Sequence, residues 1–322
     1  MPPVLTFIVP VRNDAVRLRR CLETMQSAIP SEIIVADNGS SDGSGDVARA
    51  AGARVLVLPA DRVASLRNRG AREATGRLLA FVDADHELAP GWPEAAVALF
   101  DEEPDVVAAG AQYQAPADGT WVQRMYDRLR RRHPGRRPTE WLPSGNLVVR
   151  RDAFEAVGGF DTTLETCEDV DLCQRLRARG GQLIESDALS SVHRGDPRTL
   201  RALFFGELWR GRDNLRVTLR APLTIRSLPS LLLPAAVLIG LAGVALGLVT
   251  WPLGGWPFAA TGAVLVAAVV AMRTASLLGR ISREERSGRA ALEAVLVGGA
   301  YDAARALALV ARPSHDVRRR KG

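Results

Sequence analysis

Cysteine is scarce: the 322 residues hold three, Cys21, Cys167 and Cys173. The count is odd and the spacing is neither Cys-x-x-Cys nor a zinc pattern. That excludes a disulfide framework and a structural zinc site, and it points to a reduced compartment. Aromatic residues make up 5% of the chain, and no RNA-binding aromatic signature or zinc-finger spacing accompanies the net charge of +6. The positive charge is almost all arginine. It clusters at 128–137, at 194–226, and from Arg273 to the tail Arg318-Arg319-Arg320-Lys321. The last two clusters flank an apolar region, which fits the positive-inside rule and an anionic leaflet better than a nucleic-acid groove. The opening MPPVLTFIVPVRND has no basic stretch followed by an apolar one, so no signal peptide is predicted and residues 1–225 are expected in the cytosol. There is no internal repeat and no low-complexity segment.

The longest absence is of charge itself. No charged residue occurs from Ser227 to Met272, long enough at 1.5 Å per residue to cross a hydrocarbon core of about 30 Å twice. Trp251-Pro252-Leu253-Gly254-Gly255-Trp256-Pro257 breaks the run with prolines, glycines and interfacial tryptophans. Two helices, about 228–250 and 257–277, are predicted, with both arginine-bearing ends on the cytosolic side. The alternative, a buried hairpin of a soluble protein, would need a second large core to cover it. Residues 289–311 are apolar but carry Glu293, Asp302 and Arg305, so an interfacial helix is expected rather than a third span.

Short apolar runs alternate with amphipathic stretches before that region. Strands are predicted at 5–9, 32–36, 54–58 and 78–82, with helices at 14–27, 45–51 and 64–75 between them. This order predicts an α/β fold with a mostly parallel, doubly wound sheet and a ligand site beyond the carboxyl ends of the strands. A helix at 93–100, strands at 106–111 and 147–150, and helices at 151–157 and 170–178 follow. Residues 128–138, basic and rich in proline and glycine, read as a mobile loop, and 198–219 as one amphipathic helix.

Three acidic signals carry chemistry. Asp83-Ala84-Asp85 directly follows an apolar strand. Two carboxylates one residue apart point the same way from an extended end and can hold Mg2+ or Mn2+ on a diphosphate; the alternative is a cap or a solvated turn. Asp37-Asn38-Gly39-Ser40-Ser41-Asp42-Gly43 is either a strand-to-helix turn with a cap or a carboxylate placed for the base or ribose of a nucleotide. Glu168-Asp169-Val170-Asp171 stands at a helix N-terminus, where the helix dipole alone would favour acids. Crowded like charges also raise a carboxylate's pKa, which suits a general base.

Together these segments resemble the large inverting glycosyltransferase family 2, whose domain has the GT-A fold. Phe7-Ile8-Val9-Pro10-Val11-Arg12-Asn13 is similar to its opening strand and turn, and Val35 to Asp42 to its nucleotide-binding turn. Leu66-Arg67-Asn68-Arg69-Gly70-Ala71 resembles the segment leading to the Asp-x-Asp strand. Ser144-Gly145-Asn146, Val157-Gly158-Gly159-Phe160-Asp161 and Glu168-Asp169-Val170-Asp171-Leu172 resemble the acceptor-side block. The likeness covers about 4–195, with Gly180 and His193 at familiar intervals. It departs at Arg12-Asn13-Asp14, where many members carry an aromatic residue and then Asn-Glu. The Gln-x-x-Arg-Trp motif of processive synthases is also missing, which argues against polymer extrusion.

The resemblance implies Asp169 as the catalytic base, Pro10, Arg12, Asp37, Arg67 and Asp83 as donor-binding, Asp85 and His193 as metal ligands, and Gly145, Asn146 and Glu168 on the acceptor side. It implies a nucleotide-sugar donor, a divalent cofactor (Mn2+ or Mg2+), and a lipid-linked or glycan acceptor, with no nucleic-acid partner. The expected organisation is a Rossmann-like GT-A catalytic domain at 1–197, a basic juxtamembrane segment at 198–226, a transmembrane hairpin at 227–278, and an interfacial helix with a basic tail at 279–322. The expected location is the inner membrane, multi-pass, with the catalytic domain cytosolic and a role in cell-envelope glycan synthesis. Three other readings compete. A polyprenyl-phosphate sugar synthase would take a lipid phosphate, which needs no base. A nucleotidyltransferase would need a glycine-rich basic first loop. A silent nucleotide-sugar-binding scaffold would be expected to have lost one of Asp83, Asp85 or Asp169.

Overall fold

The computed structural model describes residues 3–130, 135–224, 227–282 and 284–311. The elements run β1 (Leu5–Val11), α1 (Ala15–Glu23), β2 (Ser31–Asp37), α2 (Ser44–Ala50), β3 (Arg54–Val57), α3 (Val63–Glu73), β4 (Leu78–Val82), β5 (His86–Leu88), α4 (Trp92–Glu102), β6 (Val106–Gly110), β7 (Tyr113–Gln114), α5 (Trp121–Arg130), β8 (Arg136–Pro138), β9 (Asn146–Arg150), α6 (Arg151–Ala156), α7 (Glu168–Ala178), β10 (Gln182–Ser186) and β11 (Ser191–His193). Helices α8 (Leu200–Arg210), α9 (Asn214–Thr218), α10 (Leu228–Val249), α11 (Trp256–Gly279) and α12 (Gly288–Ala308) complete the chain. They divide into two compact units, residues 1–117 with 130–196, and 118–129 with 197–322.

The first unit is built on an eight-stranded sheet in the order β3-β2-β1-β4-β9-β6-β10-β8. The sheet is mostly parallel, as predicted; β9 runs against β4 and β6, and β8 against β10. Alternate side chains of each central strand face opposite layers. Phe7, Val9, Leu78, Ala80 and Val82 pack with α1, α2 and α4 through Leu22, Ala48, Trp92 and Phe100. Ile8, Ile34, Leu79 and Phe81 pack with α3, α6 and α7 through Ala71, Phe154, Leu172 and Leu176. The carboxyl ends of β1, β2, β4, β6 and β10 share one edge, and β9 starts there at Asn146, opposite Val82. A small second sheet, β5-β11-β7, lies in the connections leaving that edge and sets His193 directly opposite His86.

Two sequence expectations change. Helix α5 extends through Arg130 and β8 pairs with β10, so only 131–135 of the expected 128–138 loop is left; of these, 131–134 lie outside the described residues, as does the tail from Arg318 to Lys321. Arg137 is drawn into β8 by its ion pair with Glu185 at 2.8 Å. The single helix expected over 198–219 is two. Gly211 stands at the break between them, close against Ala308, where a Cβ would come within 2.5 Å of the alanine's own.

In the second unit α10 and α11 are long and apolar enough to cross a membrane, with mean hydropathies of 2.5 and 1.8. They approach closely because glycine lines the seam: a Cβ on Gly240 would meet the Gly262 carbonyl at 2.9 Å and Val266 at 2.7 Å. Helix α12, capped by Ser287, packs on Val237 and Val269 through Ala306 and on Leu277 through Gly298. Those contacts sit on the halves of α10 and α11 away from the Trp251–Trp256 turn. The α12 charges are paired: Asp302, 3% exposed, accepts from Arg273 at 2.7 and 3.1 Å, and Glu293 pairs with Arg289 at 2.9 Å.

Removing one partner of the Arg273–Asp302 pair leaves a buried charge. Arg273→Met is expected to lower stability by about 3–5 kcal/mol, while the joint Arg273→Met, Asp302→Leu change is expected to cost far less. Thermal unfolding of detergent-solubilised single and double variants measures the coupling; additive losses would count against it.

Candidate active site

The loops beyond the sheet's carboxyl edge are stitched to one another by short polar side chains. Asn13 takes a left-handed φ of +50, accepts from the Ser41 amide at 2.8 Å and donates its own amide to the Ser40 hydroxyl at 3.0 Å. Asp42 accepts from the Ala15 amide at 2.9 Å. The turns after β1 and β2 therefore form one rim. Asp37 closes β2, 5% exposed, and accepts from the Ser40 amide at 2.8 Å; Gly39 makes the turn at φ +72. Asn38 exchanges two 3.0 Å hydrogen bonds with the Asp61 backbone, fixing the loop after β3. Pro10 is buried within β1, and Arg12 stands exposed at its end.

Next to this rim lies a buried ion bridge. Arg67, on α3 and 2% exposed, donates to Asp83 at 2.6 Å and to Glu168 at 2.8 Å, with its guanidinium over the Phe160 ring at 5.6 Å. Against the pull of burial, these two carboxylates raise the guanidinium's pKa, so it stays charged. Helix α7 enters through Cys167 at φ +60, a strained turn that puts Glu168 and Asp169 on its first positions. Asp169 accepts from the Val170 amide at 2.8 Å and, at a longer 3.4 Å, from Ser144. Burial, and then the Glu168 charge, push the Asp169 carboxyl up to about 7. Two neighbouring acids thus differ: Glu168 is bound to a cation and Asp169 is poised to exchange a proton near neutrality.

The third group centres on Asp85. Asp83 and Asp85 occupy a turn, closed by the His86 amide on the Asp83 carbonyl at 3.0 Å, and not the extended end expected from the sequence. Each carboxylate has its own partner as a result: Asp83 takes Arg67, while Asp85 lies 3.3 Å from His193 Nε2 and 3.7 Å from Arg17. His193 Nδ1 bonds to Asp196 at 2.7 Å, and Asp196 is gripped by Arg130 through both oxygens. Against burial, Asp196 and Asp85 raise His193 to about 9; burial, with the His193 charge, lowers His86 to about 4. A side chain at Gly195 would overlap the Asp85 carboxylate and reach His193 Nε2 at 2.9 Å, so glycine keeps that space clear. An acidic oxygen, two imidazoles and a cleared space between them fit a divalent cation.

Asp37, Asp83, Asp85, Glu168, Asp169, His193, Arg67, Arg12 and Gly145 all border this edge. Gly145 is needed as glycine, because a Cβ would lie 2.7 Å from Asp83 and 3.0 Å from the Tyr113 hydroxyl. Arg67 and Asn146 sit differently from expectation. Arg67 is committed to its carboxylates. Asn146, 0% exposed, donates to the Leu189 and Ala111 carbonyls and accepts from Trp92, so it braces the scaffold. His86, Gly195 and Asp196 escaped the sequence reading. The signals for them were adjacency, one residue after Asp85 and two and three after His193.

Residues 6–158 match the family described as glycosyl transferase family 2. An uncharacterized glycosyltransferase, Mb0553, of Mycobacterium bovis is 30% identical over 190 residues, 57% of this chain and 83% of that protein. The pre-mycofactocin glycosyltransferase of Mycobacterium tuberculosis is 31% identical over 192 residues, where the chain covers 40% of the relative's length. Among solved structures, the mannosyltransferase PcManGT of Pyrobaculum calidifontis, determined with GDP-Man and Mn2+, shares the fold at a TM-score of 0.57 and 18% identity, over 93% of this chain and 86% of that one.

Arg67→Met leaves two facing carboxylates without their cation and is expected to destabilise by about 3–5 kcal/mol. Arg67→Lys is expected to recover only part of this, since an ammonium cannot serve both carboxylates in the guanidinium's fork. Thermal unfolding of both variants tests the bridge; a neutral Arg67→Met would refute it.

Proposed function

The chain belongs to glycosyl transferase family 2, and from that premise we propose that it transfers a sugar from a nucleotide-sugar donor to a hydroxyl acceptor, inverting the anomeric centre. The observation that carries this reading is Asp169, a carboxylate pushed up to about 7 in the same edge as Asp83 and Asp85. A phosphate acceptor would need no such base, so a hydroxyl is favoured over a polyprenyl phosphate.

The roles follow the geometry. Asp37 and Asp83 contact the nucleoside of the donor, with Pro10 shaping the floor and the exposed Arg12 reaching its phosphates. Arg67 acts from beneath, holding Asp83 and Glu168 in place. Gly145 leaves space for the sugar beside Asp83. Asp85 and His193 would hold the divalent ion, with the ring of His193 fixed by Asp196. When bound, that ion offsets the charge on the departing nucleoside diphosphate as a Lewis acid. The PcManGT complex with Mn2+ favours Mn2+ as that ion. The Val170 and Ser144 amides aim the Asp169 carboxylate. Asp169 takes the proton as the acceptor oxygen attacks the anomeric carbon opposite the leaving group, and this single displacement inverts configuration.

The acceptor is proposed to be a lipid-linked or membrane-presented glycan precursor, reached by an enzyme anchored through α10 and α11. Support comes from α8 and α9, which expose Phe205, Trp209, Leu215 and Leu219 alongside arginines, with Arg201 over Phe205 at 5.9 Å. The catalytic domain is then cytosolic, at the inner membrane.

Four measurements bear on the reading. In a thermal-shift panel of nucleotide sugars with Mn2+, one donor is expected to stabilise the wild type and not Asp85→Ala; no stabilisation by any donor would sink it. Asp169 must be ionised to act, so kcat/KM is expected to rise about tenfold per pH unit below about 7 and to level off above it. Asp169→Asn is expected to lose about 10^2–10^4 in rate. Full-length protein in nanodiscs is expected to prefer a lipid-linked acceptor to its water-soluble head group; equal rates would remove the membrane-presented acceptor.

A further inference from the structure

We propose that His86 is the third protein ligand of the metal centre, and that the Asp85–His86–His193 set favours a divalent transition metal such as Mn2+ over Mg2+. The inference rests on the metal-dependent reading above and adds to it a third protein ligand and a ground for the choice of ion in the donor set of this chain.

Strands β5 and β11 pair antiparallel with His86 directly opposite His193, so register alone puts both imidazoles on one face. The rings stack at 4.6 Å between centroids and 26° between planes. One ligand atom from each of Asp85, His86 and His193 lies within 4.8 Å of the others. The 3.3 Å between Asp85 Oδ2 and His193 Nε2 is close to the roughly 3 Å that adjacent ligands of one octahedral ion take at about 2.1 Å from it.

Each imidazole is fixed from outside by a partner on one nitrogen. His193 Nδ1 meets Asp196 at 2.7 Å, and His86 Nδ1 meets the Ser191 hydroxyl at 2.9 Å. That is the arrangement by which outer partners set the tautomer of a ligating histidine. His86 is 0% exposed, yet its Nε2 has no hydrogen-bond partner. A buried polar nitrogen left unpaired costs about 1–3 kcal/mol, and packing does not require one. His86 does meet Tyr113 edge-on at 4.4 Å, but phenylalanine would fill that space without the orphaned atom. Two imidazoles and a single carboxylate suit divalent transition metals, of which Mn2+ holds nitrogen donors least strongly, whereas Mg2+ favours oxygen donors and bound water.

The test reads metal directly, on full-length protein in nanodiscs with Mn2+ and UDP or GDP. Pulsed EPR is expected to find two imidazole nitrogens on Mn2+ in the wild type and one in His86→Phe. Calorimetry is expected to show Mn2+ affinity falling at least about tenfold in His86→Phe, the scale that outer partners alone command, while Mg2+ affinity barely changes. One imidazole nitrogen in the wild type overturns the proposal, and this needs no variant to fold. Equal losses for Mn2+ and Mg2+ overturn the selectivity. Asp85→Ala separates the two ideas. If it abolishes Mn2+ binding while the wild type shows one imidazole, His86 is excluded and the metal-dependent reading stands. If Asp85→Ala leaves Mn2+ affinity intact, the metal-dependent reading falls.

Discussion

Arg67 lies almost wholly out of water between Asp83 and Glu168, and removing a guanidinium from solvent there is offset only because both carboxylates are present. The bridge ties three separate pieces of chain to one point: α3, the turn after β4, and the first residue of α7. Asp83, Glu168 and the start of α7 take their positions from that knot. It also decides the character of two adjacent acids. Glu168 is bound to a cation, and Asp169, next along the helix, is left with burial and the Glu168 charge and so holds its proton more tightly. One buried cation thus gives two adjacent carboxylates different surroundings.

The small three-stranded sheet does for the imidazoles what Arg67 does for the acids. Its strands are only two or three residues long, but their pairing fixes which residues stand opposite each other, and His86 and His193 are such a pair. Asp196 and Ser191 then fix the rings, and Gly195 keeps a side chain out of the space before them. Asp83 and Asp85, neighbours in a turn, serve the two networks separately, one each.

Long, strongly patterned segments were legible in the sequence. The alternation from β1 to β4, the helices between them and the uncharged hairpin each carry enough residues to show a period. The family motifs singled out Asp37, Asp83, Asp85, Asp169 and His193, and the structure brings these residues to one edge of the sheet. What escaped had physical reasons. Strands β5, β7 and β11 are too short for alternation to appear. Helix α5 ends in an arginine run whose charges hid its apolar face, and β8 is held in the sheet by an ion pair. Arg67 and Asn146 carry polar groups that suggest ligand contacts, but only burial shows that those groups are already in use. The turn at Asp83–Asp85 defeated an argument that assumed extended backbone.

Strand β9 has a consequence for how the protein comes into being. It enters the sheet between β4 and β6, against the direction of both, and it pairs with β4 from residues nearly seventy positions later in the chain. During synthesis β1 to β4 can gather as a local, parallel half, because their contacts close over short loops. That half already carries Asp37, Asp83 and Asp85, but β4 offers an open edge and Asp85 waits for a histidine not yet translated. Only when β9, α7 and β11 arrive do Gly145, Asp169 and His193 take their places. The emerging chain therefore passes through a stage that holds Asp37, Asp83 and Asp85 on a half-built sheet, and the carboxyl edge is complete only when the last strand of the small sheet is made.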